Sequence, residues 1–251
     1  MARNLKLTLA YDGAGFCGWQ VQPDRRTIQG EVADAIRRVT GEQVLPQGSG
    51  RTDAGVHAFG QVASFALASP IPAPNLQIAL NHTLPASIRV LAVEEVSHDF
   101  HARHSAKAKT YEYRIYRGDI CPPFVAPYVY HHPYPLSEGA ISDAGKLVVG
   151  EHDFTSFAAV DPERGKDENE VDNVRTIFSS SWQREGEMFA YRVRGDGFLH
   201  HMVRNLVGTF LLVGKGSLAV DAIPKILAAK SRSQAGPTAP AEGLFLVSVE
   251  Y

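Results

Sequence analysis

Cysteine is nearly absent: the 251 residues hold two, Cys17 and Cys121, far apart and in no C-x-x-C pair. That usage excludes a disulfide framework and a cysteine-based zinc module, and it fits a reducing cytoplasm. No run of apolar residues approaches the 18 or more that a membrane span needs, so no membrane partner is expected. The start, MARNLKLTLAYDG, shows neither a long apolar core nor a small-residue cleavage site, and no signal peptide is expected from it. Excess positive charge is missing too: 25 Lys and Arg stand against 27 Asp and Glu, a net charge of −2. The overall balance thus gives no reason to expect nucleic acid. Ordinary fractions remain, 44% hydrophobic and 21% charged, enough for a soluble fold with a full core.

Charge is uneven along the chain. Residues 103 to 117 carry Arg103, Lys107, Lys109, Arg114 and Arg117 against one acid, Glu112. Residues 161 to 172, DPERGKDENEVD, run the other way. Such runs are ordinarily solvated surface, although a basic stripe offset by an acidic loop elsewhere can hold RNA on one face.

Periodicity alternates between strand and helix. LKLTLAY (5–11) reads as a strand ending at Asp12-Gly13. Thr27 is placed to cap a helix whose Ile28, Val32, Ala35, Ile36 and Val39 share one face. Strands follow at 61–67 and 87–96, with a helix between them at 74–84. KTYEYRIY (109–116) alternates, with Tyr111, Tyr113 and Ile115 on one face and Thr110, Glu112 and Arg114 on the other. Ser137 can cap a helix through Val148 that Gly150 stops. Two strands meet at a Glu185-Gly186 turn. FLHHMVRNLVGTFLLVG reads as a helix with an apolar stripe and with Arg204 and Gly208 opposite it. IPKILAAK gives a shorter helix, and GLFLVSVEY a closing strand. The predicted organisation is α+β in two halves of similar size, 1–105 and 106–251.

The stretch GSGRTDAGVHAFGQVASF (48–65) is the least ordinary. Its glycines allow positive φ and close backbone approach, so a tight loop should precede the strand. Asp53 is then either a turn residue bonding its own backbone or a carboxylate held by Arg51. At an effective dielectric near 20, opposite charges about 4 Å apart attract by about 4 kcal/mol. Such a neighbour would keep the acid ionised, fit to act as nucleophile or base. A metal site is disfavoured: Asp53 and His57 are four apart, but no H-x-x-x-H or H-E-x-x-H appears, and His200 and His201, adjacent on a helix, would point about 100° apart. A serine triad lacks its G-x-S-x-G elbow, and a glycosidase would need a second acid about 5–9.5 Å from the first. Arg204 is a surface arginine or one projecting into a cleft while Gly208 admits another element. Tyr111 is a core tyrosine or an aromatic platform for a base.

Taken together these blocks are more specific. GSGRTDAGVHAFGQVASF resembles the catalytic segment of tRNA pseudouridine synthases of the TruA type. LAYDGAGFCGWQVQP with RTIQGEVADAI is similar to that family's amino terminus, and DFHARHSAKAKTYEYRIY, GEHDFTSFAA, GFLHHMVRNLVGTFLLVG and APAEGLFLVSVEY follow in the family's order. Ala14, where a hydroxyl residue is common, and His104, where an aromatic is frequent, depart from the pattern. The resemblance implies two α/β halves, each an antiparallel sheet with helices on one face, around a central RNA cleft, and a homodimer gripping tRNA with both subunits. It makes Asp53 the catalytic aspartate with Arg51 its neighbouring arginine. It has Tyr111 stacking on the target base, Arg204 lining the pocket and pairing with the acid or the backbone, and Leu244 forming an apolar wall. His57 then reads as structural. The implied reaction detaches uracil from the ribose C1′, rotates it and reattaches it through C5, with no cofactor and no metal. Asp53 could attack C1′, add to C6 or abstract the C2′ proton; the resemblance favours action at the ribose.

Overall fold

A computed structural model describes residues 2–160 and 172–251, so the acidic run at 161–172 lies, but for Asp172, outside the described residues. The chain forms two compact units, Met1–Lys109 with Phe245–Tyr251, and Thr110–Leu244. The closing strand therefore packs with the first unit rather than with the residues that precede it in sequence.

In the first unit, β1 (Arg3–Tyr11), α1 (Ile28–Thr40), β2 (Gln47–Gly48), β3 (His57–Leu67), α2 (Ala73–Thr83) and β4 (Ile88–Val96) follow in order. Strand β1 lies between β3 and β4, antiparallel to both. Leu5, Leu7 and Leu9 of β1 are wholly buried, as the alternation predicts, and α1 buries Ile28, Val32 and Ile36. The Thr27 hydroxyl accepts from the Gly30 N–H at 3.3 Å and so starts α1 as an N-cap. Strand β3 is longer than the alternation suggested and is buried without a break from Gln61 to Phe65, the pattern of a strand covered on both faces.

The second unit takes up most of β5 (Ala108–Tyr116), then β6 (Tyr130–His131), α3 (Glu138–Lys146), β7 (Gly150–Asp153), β8 (Val174–Glu185), β9 (Met188–Gly195), α4 (Met202–Gly214) and α5 (Ala222–Ala229). Its strands run in the order β5-β9-β8-β7, with β7 and β9 antiparallel to β8. The last strand, β10 (Leu244–Glu250), takes its place in the first unit beside β3, parallel to it through Phe245↔His57 and Leu246↔Ala58. Mostly antiparallel strands with helices make the fold α+β.

Several expectations shift. Helix α3 is capped by Ser137 but ends at Lys146, before the predicted Val148. The two residues that turn the β8–β9 hairpin are Gly186 and Glu187, since Glu185 already pairs with Met188. Thr110 is buried like the Tyr111 face it was expected to oppose. Helix α4 has no polar face of the expected kind: Asn205 and Thr209 are as fully buried as Leu206 and Phe210. Buried polar groups need partners. Asn205 donates to the Phe157 carbonyl at 2.7 Å and accepts from Arg232 and Thr238, while Thr209 donates to the Asn205 carbonyl and accepts from the Gly236 N–H.

Gly208 faces this same 232–239 segment, where a Cβ would lie 1.7 Å from the Pro237 carbonyl oxygen. No L side chain fits there. Gly208→Ala should force backbone apart and cost about 1–3 kcal/mol, read as a lower urea midpoint at unchanged slope.

Candidate active site

The loop that carries Asp53 is built by glycine and by the N-terminal turn. Asp53 accepts a backbone bond from the Val56 N–H at 3.1 Å, and Gly55, at φ 79°, occupies the third position of that turn. A positive φ there is what a type II turn requires, and glycine supplies it without strain. The Asp53 backbone makes the turn, and its side chain is half-buried.

Thr52, one residue before, is buried and held at two points. Its hydroxyl lies 2.8 Å from the Tyr11 hydroxyl, and its carbonyl accepts from the Trp19 N–H at 3.0 Å. Gly18 makes the second contact possible, since a Cβ there would stand 2.6 Å from the Thr52 oxygen. The block LAYDGAGFCGWQ thus clamps the aspartate loop. Composition and periodicity missed that role for Tyr11, Gly18 and Trp19; the cluster of glycines at 13, 15 and 18 beside a lone tryptophan was its only trace.

Behind the loop sits Gln61, wholly buried on β3. Its amide donates to the Gly50 carbonyl at 3.0 Å and to the Tyr11 hydroxyl at 3.4 Å, and its oxygen accepts from the Ser49 hydroxyl at 2.7 Å and the Val62 N–H at 3.1 Å. Lys109 reaches the Ser49 carbonyl at 2.6 Å. Burial pushes the Tyr11 phenol up to about 12, against the lowering effect of its bonds to Thr52 and Gln61.

His57 is 1% exposed, stacked on Phe245 at 4.8 Å, with Nδ1 placed 3.1 Å from both the Gly13 N–H and an Asp12 carboxylate oxygen. These are the surroundings of a structural histidine. Arg51 is exposed.

The remaining expected residues lie in the second unit. Tyr111 is 8% exposed, its ring meeting Phe198 edge-on at 5.0 Å. Phe198, passed over in the sequence, therefore helps to orient it. Arg204 is half-buried rather than a surface arginine: its Nε donates to the Ala239 carbonyl at 2.8 Å, and the Ala239 N–H returns a bond to the Arg204 carbonyl at 3.1 Å. Tyr113 donates to the neighbouring Pro240 carbonyl at 2.8 Å; burial, then the charge of Glu242, raises its phenol, partly offset by Arg204. Gly243 packs on the Tyr113 ring, and the buried Leu244 follows it directly. Arg204, Tyr113 and the segment leading to Leu244 thus form one assembly.

Two expectations need correction. His200 and His201 precede α4 instead of lying on it, because His201 has a left-handed φ of 59° and the helix starts at Met202. Their rings lie 3.9 Å apart, so the helical argument that they diverge does not apply. The basic stripe is also less available than its composition suggests. Arg117 is largely buried against Glu138 and the His132 carbonyl, Arg114 pairs with Glu112 at 2.7 Å, and Lys109 serves the Ser49 carbonyl, while Arg103 and Lys107 are exposed. Among the described residues, no helix is long and apolar enough to cross a membrane.

Comparison with known proteins is consistent along the chain. A family model described as tRNA pseudouridine synthase matches residues 8–105 and 144–251. A protein of Solibacter usitatus named tRNA pseudouridine synthase A is 51% identical over 250 residues, covering 99% of this chain and 100% of that protein. Proteins of the same name from Moorella thermoacetica, 48% identical over 250 residues with 98% and 99% covered, and from Caldicellulosiruptor saccharolyticus, 44% over 249 residues with 99% and 100% covered, are also similar.

The buried phenol has a stability signature. Because the folded Tyr11 holds its proton up to about pH 12 while an unfolded tyrosine loses it near pH 10, its contribution is complete below pH 10 and lost as the pH rises through 12. Urea unfolding at pH 8 and 11.5 should therefore show Tyr11→Phe losing less stability with pH than the parent chain, by roughly 1–2 kcal/mol.

Proposed function

The chain belongs to the tRNA pseudouridine synthase family, and on that footing we propose that it isomerises uridine to pseudouridine at positions 38 to 40 of the tRNA anticodon stem-loop, with Asp53 as the catalytic aspartate. The observation that carries this reading is the match of nearly the whole chain to relatives bearing that one name. The clamped loop supports it: a carboxylate between two fixed backbone points is what a reaction at a single ribose carbon needs.

A base inside a stem is out of reach, so the nucleotide must be flipped at a cost of a few kcal/mol. Tyr111 stacks on the flipped uracil and returns about 1–3 kcal/mol of that, its ring oriented by Phe198. Arg51 is the cation beside the aspartate. Arg204, fixed through Ala239, lines the pocket, and Leu244 forms its apolar wall. The family likeness supports a central RNA cleft, a homodimer with both subunits on one tRNA, and a cytoplasmic site of action. Exposed cations such as Arg103 and Lys107 meet phosphates, which makes binding weaken with salt.

Chemically, the glycosidic bond at C1′ breaks and a C1′–C5 bond forms in the same nucleotide. The C5 hydrogen leaves as a proton and the base nitrogen gains one. Oxidation state does not change, so neither cofactor nor metal is required by the balance. Asp53 acts at the ribose, either on C1′ or on the C2′ proton.

Transfer RNA tritiated at uracil C5 tests the assignment. Tritium should be released by the parent chain and not by Asp53→Asn, which should bind tRNA within about threefold of the parent. Release by Asp53→Asn would remove the aspartate from the chemistry. Binding without release by the parent would mean a tRNA-binding protein, and free uracil a glycosidase. Tyr111→Ala should lower turnover about tenfold or more, whereas Tyr111→Phe, which keeps the stacking face, should stay near the parent.

A further inference from the structure

The chain of hydrogen bonds behind the loop is continuous. Gln61 lies at its root, wholly buried, and every position on its amide is used. The oxygen accepts from Ser49 Oγ and the Val62 N–H, so only the nitrogen can serve the remaining neighbours, the Gly50 carbonyl and the Tyr11 hydroxyl. A carbonyl cannot donate, and an amide N–H cannot accept. The Tyr11 oxygen therefore accepts from Gln61, and the same hydroxyl shares a hydrogen bond with Thr52 Oγ1 at 2.8 Å. The row links Gln61, Tyr11 and Thr52 and ends one peptide bond from Asp53.

These groups are shut off from solvent. Tyr11 is 4% exposed, Thr52 6%, and Ser49 and Gln61 are at 0%. Water is not at hand to replace a lost partner, and a low-dielectric setting strengthens each bond in the row. The row also grips the loop on both sides of Arg51: at Ser49 and Gly50 before it, and at Thr52 after it. With the Trp19 N–H on the Thr52 carbonyl, Thr52 is held at side chain and backbone together. Rotation of the Thr52–Asp53 peptide, which would swing the carboxylate, has to break one of these bonds.

We propose that Tyr11 and Thr52 are positioning residues for the reaction, and that the Tyr11–Thr52 hydrogen bond, backed by Gln61, sets the aim of the Asp53 carboxylate. The inference rests on the reading of Asp53 as the catalytic acid. Neither residue touches substrate. They act on how often the carboxylate stands at the reacting carbon, so they govern turnover and leave tRNA affinity alone. A misplacement of about 1 Å can cost as much as 100-fold in rate.

The test uses the full chain and C5-tritiated tRNA, with Asp53→Asn assayed alongside. Thr52→Val keeps the shape and loses the hydroxyl, Thr52→Ser keeps the hydroxyl, and Tyr11→Phe removes the same bond from the other side. Thr52→Val and Tyr11→Phe should each lower kcat about tenfold or more at a KM within about twofold of the parent, Thr52→Ser should recover most of it, and the double variant should be no slower than the worse single one. Each rate is referred to the folded fraction given by urea unfolding. Inactive Asp53→Asn with Thr52→Val and Tyr11→Phe near parental kcat overturns this inference while sparing the aspartate; active Asp53→Asn overturns the aspartate itself. A change confined to KM, strictly additive losses in the double variant, or failure of both Thr52→Val and Tyr11→Phe to fold would also overturn it, the last because the bond would then be a stability element.

Discussion

The position of Thr52 is the constraint from which the candidate site follows. Its carbonyl is fixed by the Trp19 N–H and its hydroxyl by Tyr11, so the residue after it has little freedom in where its carboxylate starts. Neither contact is strong alone, since a net hydrogen bond in a folded protein is worth about 0.5–1.5 kcal/mol. Their effect comes from acting on one peptide unit inside a buried setting, where an unmade bond is costly. The sheet supplies the frame: Tyr11 ends β1, Gln61 lies in β3, and the two strands are paired antiparallel. The aspartate loop is thereby tied to the paired strands β1 and β3.

The second unit solves a similar problem differently. Its central helix α4 is buried on nearly every side, and its polar residues are matched by a strap of irregular chain at 232–240. Asn205, Thr209 and Arg204 all bond to that strap or to its neighbours. Gly208 and Gly236 let the backbones touch. The strap leads straight to Leu244, so the placement of one proposed pocket residue depends on the satisfaction of buried polar groups a turn or two away along α4.

Much of this was legible in the sequence because local rules agreed with the fold. Thr27 and Ser137 sit where caps should sit, β1 alternates, and the hairpin has its glycine. The resemblance assigns Asp53, Arg51, Tyr111, Arg204 and Leu244 to the proposed site by motif. What periodicity could not provide was pairing over distance. Periodicity left Arg204 open between surface and cleft because helix geometry carries no information about a strap thirty-odd residues later. His200 and His201 looked helical because their neighbours are, although a left-handed residue can end a helix without any breaker in the sequence. Arg117 and Lys109 read as surface charge because composition cannot see Glu138 or a buried carbonyl. Tyr11 was one more strand aromatic until Thr52 stood beside it.

The placement of β10 has a consequence for how the molecule comes into being. Phe245 lies against His57, and the strand it opens pairs with β3, yet these residues leave the ribosome after the whole of the second unit. The first unit, with the aspartate loop at its end of β3, cannot close its sheet until the second unit has been made. The His57–Ala58 end of β3 waits for its partner until then, a pairing of high sequence separation and so a slow one. Until then that short stretch of strand edge is open to pairing with another strand.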